Sequence, residues 1–210
     1  MGRSYLMPLV YDAEGYPVDA DLVLRAYAQG CFPMSESRDG RLSWYRPTNR
    51  AIITWDRLRI PRSLRKTLAK NPFQLALNRD FSAIVSACAE RSETWIGRDI
   101  QLLFEELHRR GHAHCVAAYD GDGRLVGGCY GLALGRIFCG ESMFHLVNDA
   151  SKACIWHLTQ QLQRGGFVLL DCQQQSPHMS RFGAYEIPDQ EFQCLLDRYR
   201  DETANFPSLS

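Results

Sequence analysis

The segment FCGESMF, residues 138–144, and the segment LLDCQ, residues 169–173, decide the fold of this chain. The second segment is an apolar run that ends in an acid and an amide, a pattern typical of a buried strand. The first segment joins a carboxylate and a hydroxyl to apolar neighbours. Polar side chains at the end of a buried strand cost free energy unless they are used, so both segments predict a functional site.

The elements around these two segments predict a mixed sheet. Three strand patterns joined by turns lead up to and include the first segment, at residues 112–119, 125–133 and 136–144. An amphipathic helix over residues 151–163 then precedes a strand over residues 167–171. This order predicts an α+β fold with flanking helices and a mixed sheet like that of the N-acetyltransferase superfamily. In this GNAT-like arrangement the strands that carry the two segments separate and leave an open wedge.

The N-terminal part is predicted to form a small α/β domain, residues 1–48, before a larger domain, residues 49–210. Short strands are expected at residues 42–45, 51–55 and 73–77. Helices are expected at residues 19–29, 61–70, 80–91, 98–110 and 189–200. Residues 31–34 are predicted to form a tight turn, and residues 201–210 a frayed tail.

Composition excludes several classes of protein. Lys+Arg and Asp+Glu both number 24, so only a local basic patch is able to attract a nucleic acid. The 8 cysteines include no C-x-x-C pair, which favours reduced thiols in a cytoplasmic protein. We expect no secretory signal, because the first residues contain no continuous apolar run. We also expect no contact with a membrane, because no segment approaches the ~18 apolar residues of a membrane-spanning helix.

Asp171 is the first candidate for chemistry, since a carboxylate at the end of a buried strand is able to act as a general base. Gln173 lies two residues further on, so both side chains share a face if the strand continues. Glu141 is flanked by apolar residues and is suited to a cationic partner such as an α-ammonium group. The alternatives are a turn carboxylate, a loop amide and an exposed edge carboxylate.

Other polar residues carry weaker signals. Ser142 lies in no G-x-S-x-G frame, which argues against a covalent serine mechanism. Met143 and Phe144 fit either a hydrophobic core or an apolar side-chain pocket. His112 and His114 are spaced to share a strand face, but no third ligand matches them, so no metal site is predicted.

A basic stripe is the one local excess of charge. The spacing of Arg59, Arg62, Lys66 and Lys70 places them on one face of a predicted helix. The stripe is either a solvated surface or a contact for a phosphate backbone. The aromatic residues nearby either stack on a terminal adenine or form a core: Trp44, Tyr45 and Trp55.

Blocks spread over residues 20 to 198 resemble the leucyl/phenylalanyl-tRNA–protein transferase family, which adds an amino acid to a protein's N-terminus without a ribosome. Any one block is weak, but their order and spacing are specific. Besides the two opening segments, the blocks include Ala26-Tyr27, Phe32-Pro33, Trp44 to Pro47, Thr94-Trp95-Ile96, Gly111-His112-Ala113-His114, Val126-Gly127-Gly128, Ala150-Ser151-Lys152, His178 and Glu186-Ile187-Pro188.

This resemblance implies an aminoacyltransferase that moves Leu, Phe or Met from aminoacyl-tRNA to the α-amine of a protein that begins with Arg or Lys. The product is marked for degradation through its N-terminus. The ester of the tRNA is already activated, so we expect no cofactor and no metal, and we expect a monomer.

The resemblance also implies roles for residues. In the family the aspartate that matches Asp171 abstracts the amine proton with help from the glutamine that matches Gln173. The tRNA-binding positions are those of the basic stripe. The positions expected to bind the substrates are Met34, Trp95, Cys129, Glu141, Ser142, Met143, Phe144 and His178.

The chain departs from the family pattern at Met34, where a tryptophan is usual, and at Cys129, where a methionine is usual. Leu158 and Leu162 replace two aromatic residues.

Three other functions remain as alternatives. An acetyl-CoA-dependent N-acetyltransferase needs a glycine-rich pyrophosphate loop, which residues 144–150 lack. A transferase acting on N-terminal Asp or Glu is disfavoured by the acidic Glu141. The third alternative is a tRNA-binding protein without catalytic activity.

Overall fold

The computed structural model describes residues 10–90 and 94–207. Its helices are α1 (Ala20–Tyr27), α2 (Arg62–Leu68), α3 (Phe81–Ala89), α4 (Arg98–Arg109), α5 (Ala150–Arg164), α6 (Pro177–Ser180) and α7 (Asp189–Tyr199). Its strands are β1 (Val10–Tyr11), β2 (Pro17–Val18), β3 (Phe32–Ser35), β4 (Leu42–Tyr45), β5 (Asn49–Thr54), β6 (Gln74–Leu77), β7 (Ala113–Tyr119), β8 (Leu125–Leu134), β9 (Ile137–His145), β10 (Leu169–Gln173) and β11 (Tyr185–Pro188).

Seven strands form one mixed sheet in the order β11-β5-β10-β9-β8-β7-β6. Neighbouring strands are antiparallel except β9 and β10, which are parallel. Parallel neighbours need a long crossover connection, and α5 supplies it. The predicted α+β arrangement, a mixed sheet with flanking helices, is therefore confirmed.

Helices cover both faces of the sheet, because the buried side chains of each strand alternate between two cores. Leu169 packs in the core that contains buried residues of α1, α3, α4 and α7. Its neighbour Leu170 packs in the core that contains buried residues of α2, α5 and α6. The helix faces predicted from periodicity are the buried ones, as Ile155, Leu158 and Leu162 of α5 illustrate.

Several expectations were wrong in detail. Residues 32–35 form a strand rather than a tight turn, and β3 pairs with β4 in a separate two-stranded sheet. Pro33 is tolerated there because such a small sheet has only edge strands. Strand β11 and helix α6 were not predicted, since each is only four residues long. The helix predicted over residues 80–91 ends at Arg91, which lies outside the described residues.

The C-terminal segment is docked rather than frayed as far as residue 207. The Asn205 backbone N–H donates to the Gly165 carbonyl at 2.9 Å. Phe206 stacks on the His114 ring, with 4.1 Å between the ring centroids. The tail therefore belongs to the core that α5 covers.

No pair among the eight cysteines, all of which lie in the described ranges, forms a disulfide. Five of them are buried: Cys88, Cys115, Cys129, Cys139 and Cys154. In the part of the chain that the structure describes, no helix has the length and apolar character to span a membrane.

Candidate functional site

The parallel strands β9 and β10 separate at the predicted place. Their register runs from Leu169 opposite Ile137 to Asp171 opposite Cys139, where the pairing ends. Beyond that pair the two strands line a cavity of about 170 Å³ between them. The wedge predicted from the order of the elements is thus present, and both polar segments border it.

A β-bulge shapes the first side of the wedge. Tyr130 of β8 pairs with Ser142, and Gly131 pairs with Gly140, so Glu141 is the extra residue on β9. Bulges redirect a side chain relative to the regular pleat. A Cβ atom at Gly131 would collide with the Cys139 carbonyl oxygen, so a glycine is needed where β8 approaches the bulge. The fold therefore aims Glu141 out of the regular strand pattern.

A second irregularity shapes the other side of the wedge. Asp171 pairs with Ile52 of β5, but Gln173 pairs with the adjacent Ala51, so the register shifts at Cys172. Gln173 has a φ of 59°, in the left-handed region that is costly for a side chain with a Cβ. The expectation that Asp171 and Gln173 project from one face of a regular strand is therefore wrong.

Asp171 forms a buried ion pair with Arg50. Arg50 Nε donates to Asp171 Oδ1 at 2.9 Å, and Nη2 donates to Oδ2 at 2.6 Å. The side chains are 1% and 0% exposed, respectively. The backbone N–H of Gln173 also donates to Asp171 Oδ1, at 2.8 Å. Asp171 therefore holds the bulge in place and directs both of its oxygens into the protein.

Each nitrogen of the Arg50 guanidinium has a hydrogen-bond acceptor. Its Nη1 donates to the Gly30 carbonyl at 2.9 Å, and its guanidinium lies over the rings of Phe32 and Phe192, at 5.2 and 4.5 Å from their centroids. Burial lowers the pKa of Arg50, but the charge and hydrogen bonds of Asp171 outweigh burial and raise that pKa overall. Arg50 was not predicted as a site residue, because its partner Asp171 lies 121 positions away in the sequence.

Glu141 is held at one oxygen only. Gln173 Nε2 donates to Glu141 Oε1 at 2.7 Å. Glu141 Oε2 is buried and makes no hydrogen bond with the described residues. The Tyr27 hydroxyl lies beside the carboxylate without standard hydrogen-bond geometry. Burial and the charge of Asp171 raise the pKa of Glu141 to about 8, against the opposing effects of Tyr27, Gln173 and Arg50.

Two adjoining cavities share Glu141 as a lining residue, and a third adjoins the second at Trp95. The 170 Å³ cavity in the wedge has an apolar wall that comprises Cys129, Met143, Ile155, Leu158, Leu170 and Met179. A second cavity, of about 320 Å³, is lined by Trp95, Glu141, Ser142, Met143, His145, Ser151 and His178. A third, of about 570 Å³, is lined by Met34, Ser35, Glu36, Ser37, Arg38, Tyr45, Thr94 and Trp95.

The structure brings most of the predicted substrate-binding residues to these cavities. Glu141, Ser142 and Met143 line both the first and the second, and Trp95 lines both the second and the third. Phe144 differs, because it is buried in the core and lines none of the three. Of the nearby aromatic residues, Tyr45 lines the third cavity, whereas Trp44 and Trp55 pack against the cores.

His178 borders the second cavity. Its Nε2 atom is buried and has no hydrogen-bond partner among the described residues. Burial and the positive charges of Lys152, Arg181 and His145 lower the pKa of His178. A buried ring nitrogen without a partner is available to a bound substrate.

The basic stripe is not a single helix face. Arg62 and Lys66 belong to α2, whereas Arg59 precedes the helix and Lys70 follows it. All four side chains are exposed. Thr67 of α2 donates to Asp149 Oδ2 at 2.7 Å, which anchors α2 at the N-terminus of α5.

His112 and His114 lie apart from this site and line a separate cavity. In the described ranges, no group of three or more His, Cys, Asp or Glu side chains is placed to hold a metal ion.

Comparison with known proteins identifies the family. Residues 52–197 match the model of the leucyl/phenylalanyl-tRNA protein transferase family, and residues 17–48 match the model of its N-terminal domain. A "leucyl/phenylalanyl-tRNA–protein transferase" of Rubrobacter xylanophilus is 49% identical over 176 residues, which cover 84% of this chain and 92% of the relative. A protein of Akkermansia muciniphila with the same name is 45% identical over 186 residues, which cover 87% and 96%.

Among solved structures, L-PGS from Bacillus licheniformis is similar with a TM-score of 0.42 and 12% identity, over 70% of this chain and 47% of that one. The family model and the two relatives define the class of this protein as an aminoacyltransferase. The chain belongs to the leucyl/phenylalanyl-tRNA protein transferase family.

We predict that Arg50→Met destabilises the protein strongly. The change leaves Asp171 charged, buried and without its cation, which costs about 3–5 kcal/mol in comparable cases. The matched control is Arg46→Met, since the pair of Arg46 with Asp189 is partly exposed and such pairs contribute about 0–1 kcal/mol. Urea unfolding measures both free energies, and a second change, Asp171→Leu, should recover part of the loss. Equal losses for Arg50→Met and Arg46→Met would contradict the buried pair.

We also predict a pH-dependent stability difference at Glu141. The folded-state pKa of about 8 lies above the ordinary value of 4.5 for a glutamate, so the folded state binds a proton that the unfolded state has lost. The stability that this group contributes is complete below pH 4.5 and is lost as the pH rises to about 8. The free energy of unfolding of Glu141→Gln should therefore rise relative to that of the wild type across this window. A constant difference would contradict the raised pKa.

Proposed function

We propose that this protein transfers Leu, Phe or Met from aminoacyl-tRNA to the α-amine of proteins that begin with Arg or Lys. The observation that carries the proposal is the contact between Gln173 and Glu141 at the mouth of an apolar cavity, between strands that separate at Asp171. Family membership supplies the reaction class. The product then carries an N-terminus that directs it to degradation.

The wedge cavity suits the side chain of the transferred amino acid. Its apolar wall favours leucine, phenylalanine and methionine over charged or amide side chains, because an unpaired polar group there would be desolvated without compensation. Cys129 and Leu158 form part of this wall. Both are smaller than the residues usual in the family, which leaves room for the larger donors.

The second and third cavities suit the 3′ end of the tRNA. Trp95 borders both, and Tyr45 borders the third, so an adenine has aromatic faces available even though Met34 offers no stacking plane. The basic stripe lies on and around α2, which is anchored at the N-terminus of α5. It would contact the phosphate backbone of the tRNA without recognising a base sequence.

The acceptor amine would enter next to Glu141, whose carboxyl group ionises more readily beside a cation and then matches the charge of an N-terminal Arg or Lys. Asp171 and Gln173 form the catalytic pair in this proposal, and Asp171 acts through the Gln173 backbone that it holds. The activated ester supplies the driving force, so the enzyme contributes proximity, proton removal and charge stabilisation without a cofactor. We further propose a domain boundary near residues 47–50 and a monomer that works in the cytoplasm.

Transfer of labelled amino acids tests this function. Leu-, Phe- and Met-tRNA would be offered with a peptide that starts with Arg and a matched peptide that starts with Asp. We expect transfer to the Arg peptide only. Asp171→Ala should abolish transfer and leave tRNA binding nearly unchanged. Transfer to the Asp peptide alone would overturn the acceptor assignment, and tRNA binding without transfer to either peptide would favour the non-catalytic alternative.

We predict that Arg62→Gln/Lys66→Gln raises the KM for tRNA and flattens its dependence on salt. Each lost cation–phosphate contact lowers the slope of log affinity against log salt by about 0.7–0.9, so the double variant should lose about 1.5. The charge-matched control is Arg109→Gln/Arg124→Gln, whose side chains are exposed elsewhere on the protein. Identical slopes for wild type and the stripe variant would remove the stripe from the tRNA site.

A further inference from the structure

We propose, on the basis of the proposed function, that Glu141 Oε2 accepts the proton from the acceptor amine, and that Arg50 and Asp171 are positioning residues. This assignment goes beyond the catalytic pair, because it names the atom that meets the substrate. Three sets of observations support it. Asp171 lines none of the cavities, Glu141 lines two of them, and hydrogen bonds through Gln173 connect the two carboxylates.

Asp171 has no access to a substrate. It is 0% exposed and lines none of the three cavities of the site. Its Oδ1 atom accepts from Arg50 and from the Gln173 backbone, and its Oδ2 atom accepts from Arg50. A general base must come within hydrogen-bond reach of the proton that it removes. Asp171 therefore acts only through the residues that it holds.

Glu141 has the access that Asp171 lacks. It lines both the donor cavity and the adjoining second cavity, where the ester and the amine would meet. Gln173 holds its Oε1 atom, whereas Oε2 is enclosed without a hydrogen-bond partner among the described residues, so Oε2 is the carboxylate oxygen with an unused acceptor site. The β-bulge on β9 gives the side chain this direction.

The surroundings of this carboxylate set its pKa. The titratable and charged groups around it are Tyr27 of α1, Arg50 of β5, Asp171 of β10, Cys139 of its own strand, and His145 and His178 of the second cavity. Their combined effect and burial raise the pKa of Glu141 to about 8. An α-amino group has a pKa of about 8, so a proton moves between the two with little change in free energy.

The proton balance of the step is simple. The acceptor enters as an ammonium group and gives one proton to Glu141 Oε2. The freed nitrogen lone pair attacks the ester carbonyl carbon, forms the new C–N bond, and breaks the C–O bond to the ribose. The ribose oxygen takes a second proton from the nitrogen and leaves as a hydroxyl. The proton on Glu141 then passes to water, which restores the carboxylate.

The test compares isosteric variants in the transfer assay with Phe-tRNA and the Arg peptide. Glu141→Gln should lower kcat by about 10²–10⁴-fold, the usual contribution of a general base, with the KM for tRNA unchanged. Asp171→Asn keeps an oxygen that accepts from the Gln173 backbone, so it should retain more activity than Glu141→Gln. The control is Glu191→Gln, an exposed carboxylate on α7.

Chemical rescue provides a second measurement that a purely structural role would not affect. Added formate should restore part of kcat to Glu141→Ala by occupying the vacated site, and it should not rescue Asp171→Ala. Rescue of Asp171→Ala alone, or a Glu141→Gln variant within about threefold of wild-type kcat, would overturn the assignment. A wild-type protein that transfers nothing to the Arg peptide would instead refute the proposed function itself.

Discussion

The buried ion pair of Arg50 and Asp171 is the interaction on which the rest of the site depends. It joins strands β5 and β10, and it reaches the turn after α1 through Gly30 and helix α7 through Phe192. A buried ion pair recovers its desolvation cost only with good geometry and additional hydrogen bonds, and this pair has both. The ion pair therefore acts mainly by positioning, because it connects β5, β10, the turn after α1 and α7 at the point where β9 and β10 separate.

Two irregular strands turn that arrangement into a reactive site. Regular pleating would send alternate side chains into the two helical cores, as it does for Leu169 and Leu170. The bulge at Glu141 and the register shift before Gln173 interrupt the alternation on facing sides of the wedge. The unfavourable φ of Gln173 is offset by the hydrogen bonds of its backbone to Asp171 and of its amide to Glu141.

Much of the fold was predictable because its signals are local. Hydrophobic periodicity placed β7, β8, β9 and α5 within about two residues of their observed ends, and the polar ends of two strands located the wedge. The ion pair was not predictable in this way, since Arg50 and Asp171 are 121 positions apart. The bulges were also missed, because a register shift depends on the partner strand rather than on the residues that bulge. The two polar segments that border the wedge were therefore predictable, whereas the contacts between their side chains were not.

The same contacts explain how a site with several carboxylates is able to receive an anionic tRNA. Arg50 neutralises Asp171, and Lys152 pairs with Asp149 at 2.6 Å. The raised pKa of Glu141 keeps a large share of that side chain uncharged near neutral pH. The exposed cations of α2 meanwhile have no carboxylate partner in the described residues and remain free to meet phosphates. In the proposed function, a chain with no net charge would thus present a basic surface beside an interior whose acids are neutralised, and the phosphate backbone would approach without repulsion from those acids.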